Sequence, residues 1–329
     1  MLTTWCNARC ACCYLCCGPD RKGEMTVEQA LRYWRSLQEA APGGCKVHLS
    51  GGEPFGDWPR LIELARRAKA DGLGPLAKVE TNAFWADDAA VVKDRLAALD
   101  AAGMGKLVIS TDPYHQAFVP MAKVRLAAAV ATEVLGPERV QVRWRDWLAE
   151  GFDTGGLLEE KEEKEKKAAW GALVGRYAAG GRDRLCGRAA KMLPPHLQLK
   201  ALGEFVDKPC SQALLRSRHV HIDPAGCVMP GTCAGLVLGL ADQESIAAIW
   251  QRLRADYADR PIVGTLARQG PAGLLPLAES AGFVPAEGYA GKCQLCWNIR
   301  RHLAAGGRHA DELGPTELYQ AGGQSDKVD

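Results

Sequence analysis

Three cysteines open the chain at the spacing Cys6-x3-Cys10-x2-Cys13, and Gly51-Gly52-Glu53-Pro54 follows thirty-eight residues after the third. Thiolates so spaced can hold three irons of a 4Fe–4S cluster and leave the fourth iron without a protein ligand. An iron with an open position can bind and activate a substrate, so the loop predicts chemistry as well as structure. Zinc is the competing reading. It expects a fourth thiolate or histidine at matched spacing, and Cys12, Cys16 and Cys17 keep that alternative open.

The composition narrows the setting. The chain has 329 residues, 47% of them hydrophobic and 24% charged, with a net charge of +2. Nothing in that balance points to nucleic acid or to a membrane surface. The N-terminus lacks the basic and apolar segments of a signal peptide. No run approaches the roughly 18 apolar residues of a membrane span. The 13 cysteines are odd in number and cluster at 6–17 and 210–296, unlike a disulfide scaffold. That pattern suits metal–thiolate chemistry in a reducing cytoplasm.

The elements that must position these residues are legible as alternating signals. Thr26-x-x-Gln29 reads as a capping box for a helix with Val27, Leu31 and Trp34 on one face. Strands are expected at Cys45–Ser50, Leu76–Thr81, Lys106–Ser110 and Arg139–Trp144. Between them, Asp57 caps a helix running to Gly72, Asp87 caps one ending at Gly103, and Pro120 opens one closing at Gly136. Leu2–Trp5 and His196–Leu202 are the expected first and last strands. Repeated βα units predict an α/β fold with a parallel sheet, open or closed into a barrel. The run 159–167 pairs Glu160–Lys164, Glu162–Lys166 and Glu163–Lys167 as a solvated helix face. After about residue 205 the pattern changes. Arg218–Asp223, the turn Asp223-Pro224-Ala225-Gly226 and Cys227–Pro230 form a hairpin, and a helix covers Ser245–Arg254. Residues 262–291 read as irregular, and the tail after Gly322 as disordered.

In a parallel barrel the strand ends share one face. That rim would collect the cysteine loop, Gly51–Pro54, Asn82, Ser110 with Asp112, and Arg143 with Arg145. With both motifs in place, residues 1–205 resemble a radical S-adenosylmethionine (SAM) enzyme. The resemblance implies a partial (β/α)6 TIM-like barrel. Cys6, Cys10 and Cys13 would hold the cluster, whose open iron takes the amino and carboxylate groups of SAM. One electron then gives a 5′-deoxyadenosyl radical. Gly51, Gly52 and Pro54 would bring backbone close to the ligand, and Glu53 would sit beside its ammonium. Ser110 and Asp112 would meet ribose hydroxyls, and Arg143 the carboxylate, with Arg145 on the alternate face. Bland readings stand beside these: Asp112 as a turn former before Pro113, Asn82 as a strand-end cap, and His115 as a structural histidine rather than a substrate contact. The family's aromatic residue before the third cysteine is replaced by Cys12, and Tyr14 is the substitute for packing against adenine.

The C-terminal cysteines resemble the twitch or SPASM extension, a small cysteine-rich α+β appendage that holds a second, auxiliary 4Fe–4S cluster. Cys210, Cys233, Cys293 and Cys296 are the implied ligands, with Cys227 the alternative to Cys233. Leu238–Trp250 looks like the helix that follows such hairpins. Zinc or free thiols are the competing readings there. Cys17, Cys45 and Cys186 read as plain structural residues. Three regions follow: a barrel over 1–205, an auxiliary-cluster domain over 206–300 and a tail over 301–329. The expected activity is a radical SAM oxidoreductase or maturase acting on a peptide or a small biosynthetic intermediate. The short stretch before Cys6 counts against a leader-bound peptide. A flavodoxin or ferredoxin is the expected reductant. A redox-neutral epimerase using Cys227 as hydrogen donor, or a small-molecule rearrangement enzyme of the same superfamily, is the alternative; His115 and Cys227 are the candidate catalytic residues. A non-enzymatic iron–sulfur or zinc protein is the remote one.

Overall fold

The computed structural model describes residues 1–150, 163–181 and 183–321. Two compact units emerge: Met1–Cys10 with Cys17–Val174, and Ala11–Cys16 with Gly175–Asp329.

The first unit is built on a four-stranded parallel sheet in the order β1 (Val47–Leu49), β2 (Leu76–Thr81), β3 (Lys106–Ile109), β4 (Val140–Val142). Val79 pairs with Leu107, Thr81 with Ile109, and Ile109 with Val142. The helices Val27–Ala40, Trp58–Ala70, Ala89–Ala101 and Met121–Leu135 make this a run of βα units. Leu107, Val108 and Ile109 are all buried, as in a parallel sheet covered on both faces. Leu61, Leu64, Val79, Leu96, Leu99 and Val124 fill the core at 0% exposure, each contributing about 1.5–3 kcal/mol by burial.

Local caps fix the helix starts. Thr26 Oγ1 accepts from the Gln29 amide and the Gln29 side chain accepts from the Thr26 amide, both at 3.1 Å. Asp57 accepts from the Arg60 amide at 3.0 Å. The third helix is capped one residue later than expected. Asp88 takes the Ala90 and Val91 amides at 2.8 and 3.0 Å, while Asp87 pairs with Lys123. Pro120 is the residue before its helix rather than the first helical one.

Among the described residues the sheet has four of the six expected strands. Leu2–Trp5 makes only isolated bridges, Thr3 with Glu24 and Trp5 with Gly18. Its other backbone bonds run to the loop after β1: Leu2 N–H to Ser50 O, Gly52 N–H to Thr3 O and Glu53 N–H to Trp5 O. Of the expected strand within His196–Leu202, only Lys200–Ala201 forms a paired strand. It pairs antiparallel with Gly288–Tyr289 inside the second unit. Two exposed residues offer no apolar face for a barrel to bury.

The second unit holds a three-stranded antiparallel sheet of Val220–Ile222, Cys227–Pro230 and Gly239–Leu240. Asp223 Oδ1 closes the turn on the Ala225 and Cys227 amides at 3.0 and 2.9 Å, and Gly226 takes φ +77°. Ser245 caps the helix Ile246–Asp256. Residues 262–291 are not irregular: they contain the helices Val263–Gln269 and Leu275–Glu279. The first has no local side-chain cap. Glu312, fully buried, accepts from the Ile262 and Val263 amides at 3.0 and 2.7 Å and does that work from fifty residues away. The acidic ends Glu160 and Glu162 and the tail after Gly322 lie outside the described residues.

Candidate metal and cofactor sites

At the C-terminal end of the first unit's sheet, close backbone approach comes first. A Cβ on Gly52 would lie 1.7 Å from Trp5 O, and one on Gly51 would lie 2.4 Å from Thr3 O, at φ +147°. These glycines are therefore required by the unit's own Thr3–Trp5 segment, before any ligand is considered. Pro54 is buried at the start of a 3₁₀ turn.

Glu53 is 1% exposed and ties this loop to the end of β2. Its Oε1 accepts from Thr81 Oγ1 at 2.8 Å and from Phe55 N–H at 3.2 Å, and its Oε2 accepts from Asn82 N–H at 2.7 Å. Burial pushes the Glu53 carboxyl up to about 7, against the pull of those three donors. Asn82 continues the chain of contacts. Its Nδ2 donates to Asn7 Oδ1 at 2.8 Å and lies 3.7 Å from Cys6 Sγ, while its Oδ1 accepts from Phe84 N–H. Thr81 is the missed member of this set. A threonine at a strand end is unremarkable in sequence, yet its hydroxyl also meets Trp85 Nε1 at 2.9 Å.

Asp112 and His115 form a second group. Both Asp112 oxygens lie 2.8 Å from His115 Nδ1, and Oδ1 also accepts from the His115 amide at 2.9 Å, capping Pro113–Gln116. Burial works to raise the Asp112 carboxyl, but His115 and then Arg143 outweigh it and hold it below the usual range. Burial opposes the His115 charge, yet Asp112 and then Cys10 raise this histidine well above its ordinary value. The His115 side chain also hydrogen-bonds Cys10. The carboxylate expected at a ribose thus holds a histidine against a cysteine of the loop. Ser110 is half-buried, and the neighbouring Thr111 is fully buried with its hydroxyl unpartnered among the described residues. Arg143 is exposed at the end of β4, its amide bonded to Ile109 O. Arg145 turns back onto Val140 O at 3.3 Å.

Cys13 and Tyr14 belong to the second unit. Cys13 O accepts from the Arg188 amide at 3.0 Å. Tyr14 lies under the Arg184 guanidinium, 4.6 Å from the ring centre, with its hydroxyl 3.5 Å from His221 Nε2. Burial, then His219, pushes His221 down to about 3, so it is neutral.

The second unit gathers thiols of its own. Cys210 is raised to about 12, chiefly by burial and then by Cys296, Cys233 and Cys293. Cys233 is raised by burial and by Cys296, while Arg300 pulls it down. Cys186, expected to be plain filler, faces Cys293, Cys233 and Arg300 and is 3% exposed. No motif spacing marks it, because it reaches the group through the fold alone. Cys227 stands apart: burial raises it to about 12, and its charged neighbours are Asp223 and Glu317. Among the described residues no three of the C-terminal thiols have their sulfurs within 4.8 Å of one another.

Residues 1–122 match the family described as the radical SAM superfamily. No curated protein matches. Among solved structures, BtrN in complex with AdoMet and 2-DOIA is similar at 16% identity and TM-score 0.40, covering 76% of this chain and 79% of that one. Native anSMEcpe with bound AdoMet and Cp18Cys peptide is similar at 13% identity and TM-score 0.45, covering 92% and 94%.

Proposed function

We propose that this chain, whose first 122 residues belong to the radical SAM superfamily, is an oxidoreductase or maturase that abstracts a hydrogen atom from a peptide or small biosynthetic intermediate. Cys6, Cys10 and Cys13 would hold the SAM-binding 4Fe–4S cluster. Cys210, Cys233, Cys293 and Cys296 would hold an auxiliary one. The first cluster, when bound, supplies the electron that cleaves the sulfonium of SAM.

The observation that carries this reading is the hydrogen-bonded frame in the first unit. Glu53 joins the Gly51–Pro54 loop to Thr81 and Asn82, Asn82 reaches Asn7 and Cys6, and Asp112 sets His115 against Cys10. These residues orient two of the loop's thiols and exclude water from them. Glu53 uses three of the roughly four acceptor sites of a carboxylate, leaving one for a ligand ammonium. Thr111 adds a buried hydroxyl that a polar ligand would satisfy. Arg143 provides an exposed cation for a carboxylate. A flavodoxin or ferredoxin would deliver the electron. No helix among the described residues is long and apolar enough to cross a membrane.

Anaerobic incubation with SAM and dithionite tests the reading. 5′-Deoxyadenosine is expected from the wild-type chain and not from Cys10→Ala, and its retention in that variant would sink the assignment.

A second outcome, redox-neutral epimerisation, is favoured by one observation. Burial keeps Cys227 protonated and apart from the other C-terminal thiols, the form a hydrogen-atom donor needs. Solvent deuterium in the product would select it over oxidation.

A further inference from the structure

We infer that Arg300 is the positioning residue of the second unit's cluster: its buried guanidinium is the fixed counter-charge of the thiolates and raises the cluster's reduction potential. The inference rests on the proposed auxiliary cluster.

Arg300 lies on the helix Lys292–Ala305, one turn beyond Cys296 and two beyond Cys293, so all three share a face. It is 2% exposed. Its Nε donates to Cys296 Sγ at 3.3 Å, and its Nη1 donates to Ala234 O and Tyr319 Oη, both at 2.9 Å. Tyr319 in turn donates to Gly235 O at 2.5 Å and stacks on Trp297 with ring centres 4.9 Å apart. A Cβ on Gly235 would lie 2.7 Å from the Tyr319 hydroxyl, so glycine is what admits this clamp. The guanidinium is therefore held in one orientation from three sides.

Its charge has no carboxylate partner among the described residues. A guanidinium does not deprotonate in a protein. An uncompensated buried charge is strongly unfavourable. Tyr319 faces it first, but burial keeps that hydroxyl protonated; the other groups that can answer the charge are the sulfurs of Cys296, Cys233 and Cys186, as thiolates. Four metal-bound thiolates give an iron–sulfur cluster net negative charge, and each added electron deepens it. A fixed cation with an N–H···S bond to one ligand favours the reduced form. A cluster so biased is suited to accept the electron of a substrate radical left by hydrogen abstraction, which completes a two-electron oxidation.

The test uses the full chain with Cys6, Cys10 and Cys13 changed to alanine, so that only the second cluster reports. Iron is quantified and the midpoint followed by EPR-monitored redox titration. About four irons per chain are expected. Arg300→Met should keep them and lower the reduced-to-oxidised ratio at fixed poise about tenfold, which for one electron is about 59 mV. Arg300→Lys keeps the charge but loses the Nε–H···S bond, and should shift the same way by less. Tyr319→Phe keeps the charge and should shift least. Iron retained with an unmoved midpoint in Arg300→Met overturns the inference. If that variant loses its iron, an unmoved midpoint in Arg300→Lys does so. Absence of iron in the background protein overturns the second cluster itself.

Discussion

The region around Cys6 and Cys10 and the region around Cys210, Cys233, Cys293 and Cys296 both collect thiols, buried in the first and half-buried to exposed in the second, and they balance charge differently. In the first, the cation is His115, held by Asp112, with the buried Glu53 close by. In the second, the buried cation is Arg300, and no carboxylate joins it among the described residues. A histidine–carboxylate pair is net neutral when charged and can give up its proton. A guanidinium cannot. The first site can therefore adapt its charge to a bound ligand, whereas the second imposes a constant one on whatever the thiols hold. That difference suits cofactor binding in one place and electron acceptance in the other.

The comparison can be broken at several points. The largest effect is expected at the first site, where Cys10→Ala should reduce 5′-deoxyadenosine formation at least 1000-fold, about 4 kcal/mol in barrier terms. Iron should fall from about eight to about four per chain in the Cys6/Cys10/Cys13 triple alanine variant. Next comes Gly52→Ala, whose Cβ would meet Trp5 O at 1.7 Å. It should destabilise the first unit by about 3–5 kcal/mol in denaturant titration, with the second cluster's EPR signal retained. Glu53→Ala strands the Thr81, Asn82 and Phe55 donors. It should cost about 2–4 kcal/mol by the same assay.

The Glu53 carboxyl also predicts a pH dependence. Its folded value of about 7 exceeds its ordinary 4.5. The folded protein therefore binds the proton more tightly than the unfolded chain. The associated stability is fully present below pH 4.5 and is lost as pH rises through 7. The fall should be of order 1–3 kcal/mol in the apo protein. Glu53→Gln should flatten it, and an unchanged slope would show that Glu53 ionises normally. The smallest effect concerns Cys227. Under oxidation, Cys293→Ala should keep SAM cleavage and lose about 90% of oxidised product, while Cys227→Ala stays within about twofold of wild type. Abolished turnover in Cys227→Ala would reverse that assignment.

Much of the first site was legible because its signals are local. The Cys6-x3-Cys10-x2-Cys13 spacing is read without any strand, the Gly51–Pro54 loop directly follows β1, and the apolar runs at Leu76–Thr81 and Lys106–Ile109 announce the neighbouring strands of the sheet. The capping box at Thr26 and the hairpin turn at Asp223 were equally plain, since each is satisfied by residues a few positions away. The cap of the third helix was misplaced by one residue because Asp87 and Asp88 are chemically equal, and only Lys123, brought close by the fold, claims the first.

What the chain determined by itself is therefore the parallel α/β frame, the cysteine loop and the pool of C-terminal thiols, all set by periodicity and spacing. Tertiary structure decided the rest, through partners far apart in sequence. Glu312 makes the helix Val263–Gln269 out of a stretch that looks irregular. Gly51 and Gly52 are claimed by Thr3 and Trp5, and Glu53 by Thr81 and Asn82. Cys186 comes to face the other C-terminal thiols while Cys227 is left aside. Arg300, one arginine among many in the sequence, comes to hydrogen-bond Cys296 from the same helix face, and burial removes water as its alternative partner.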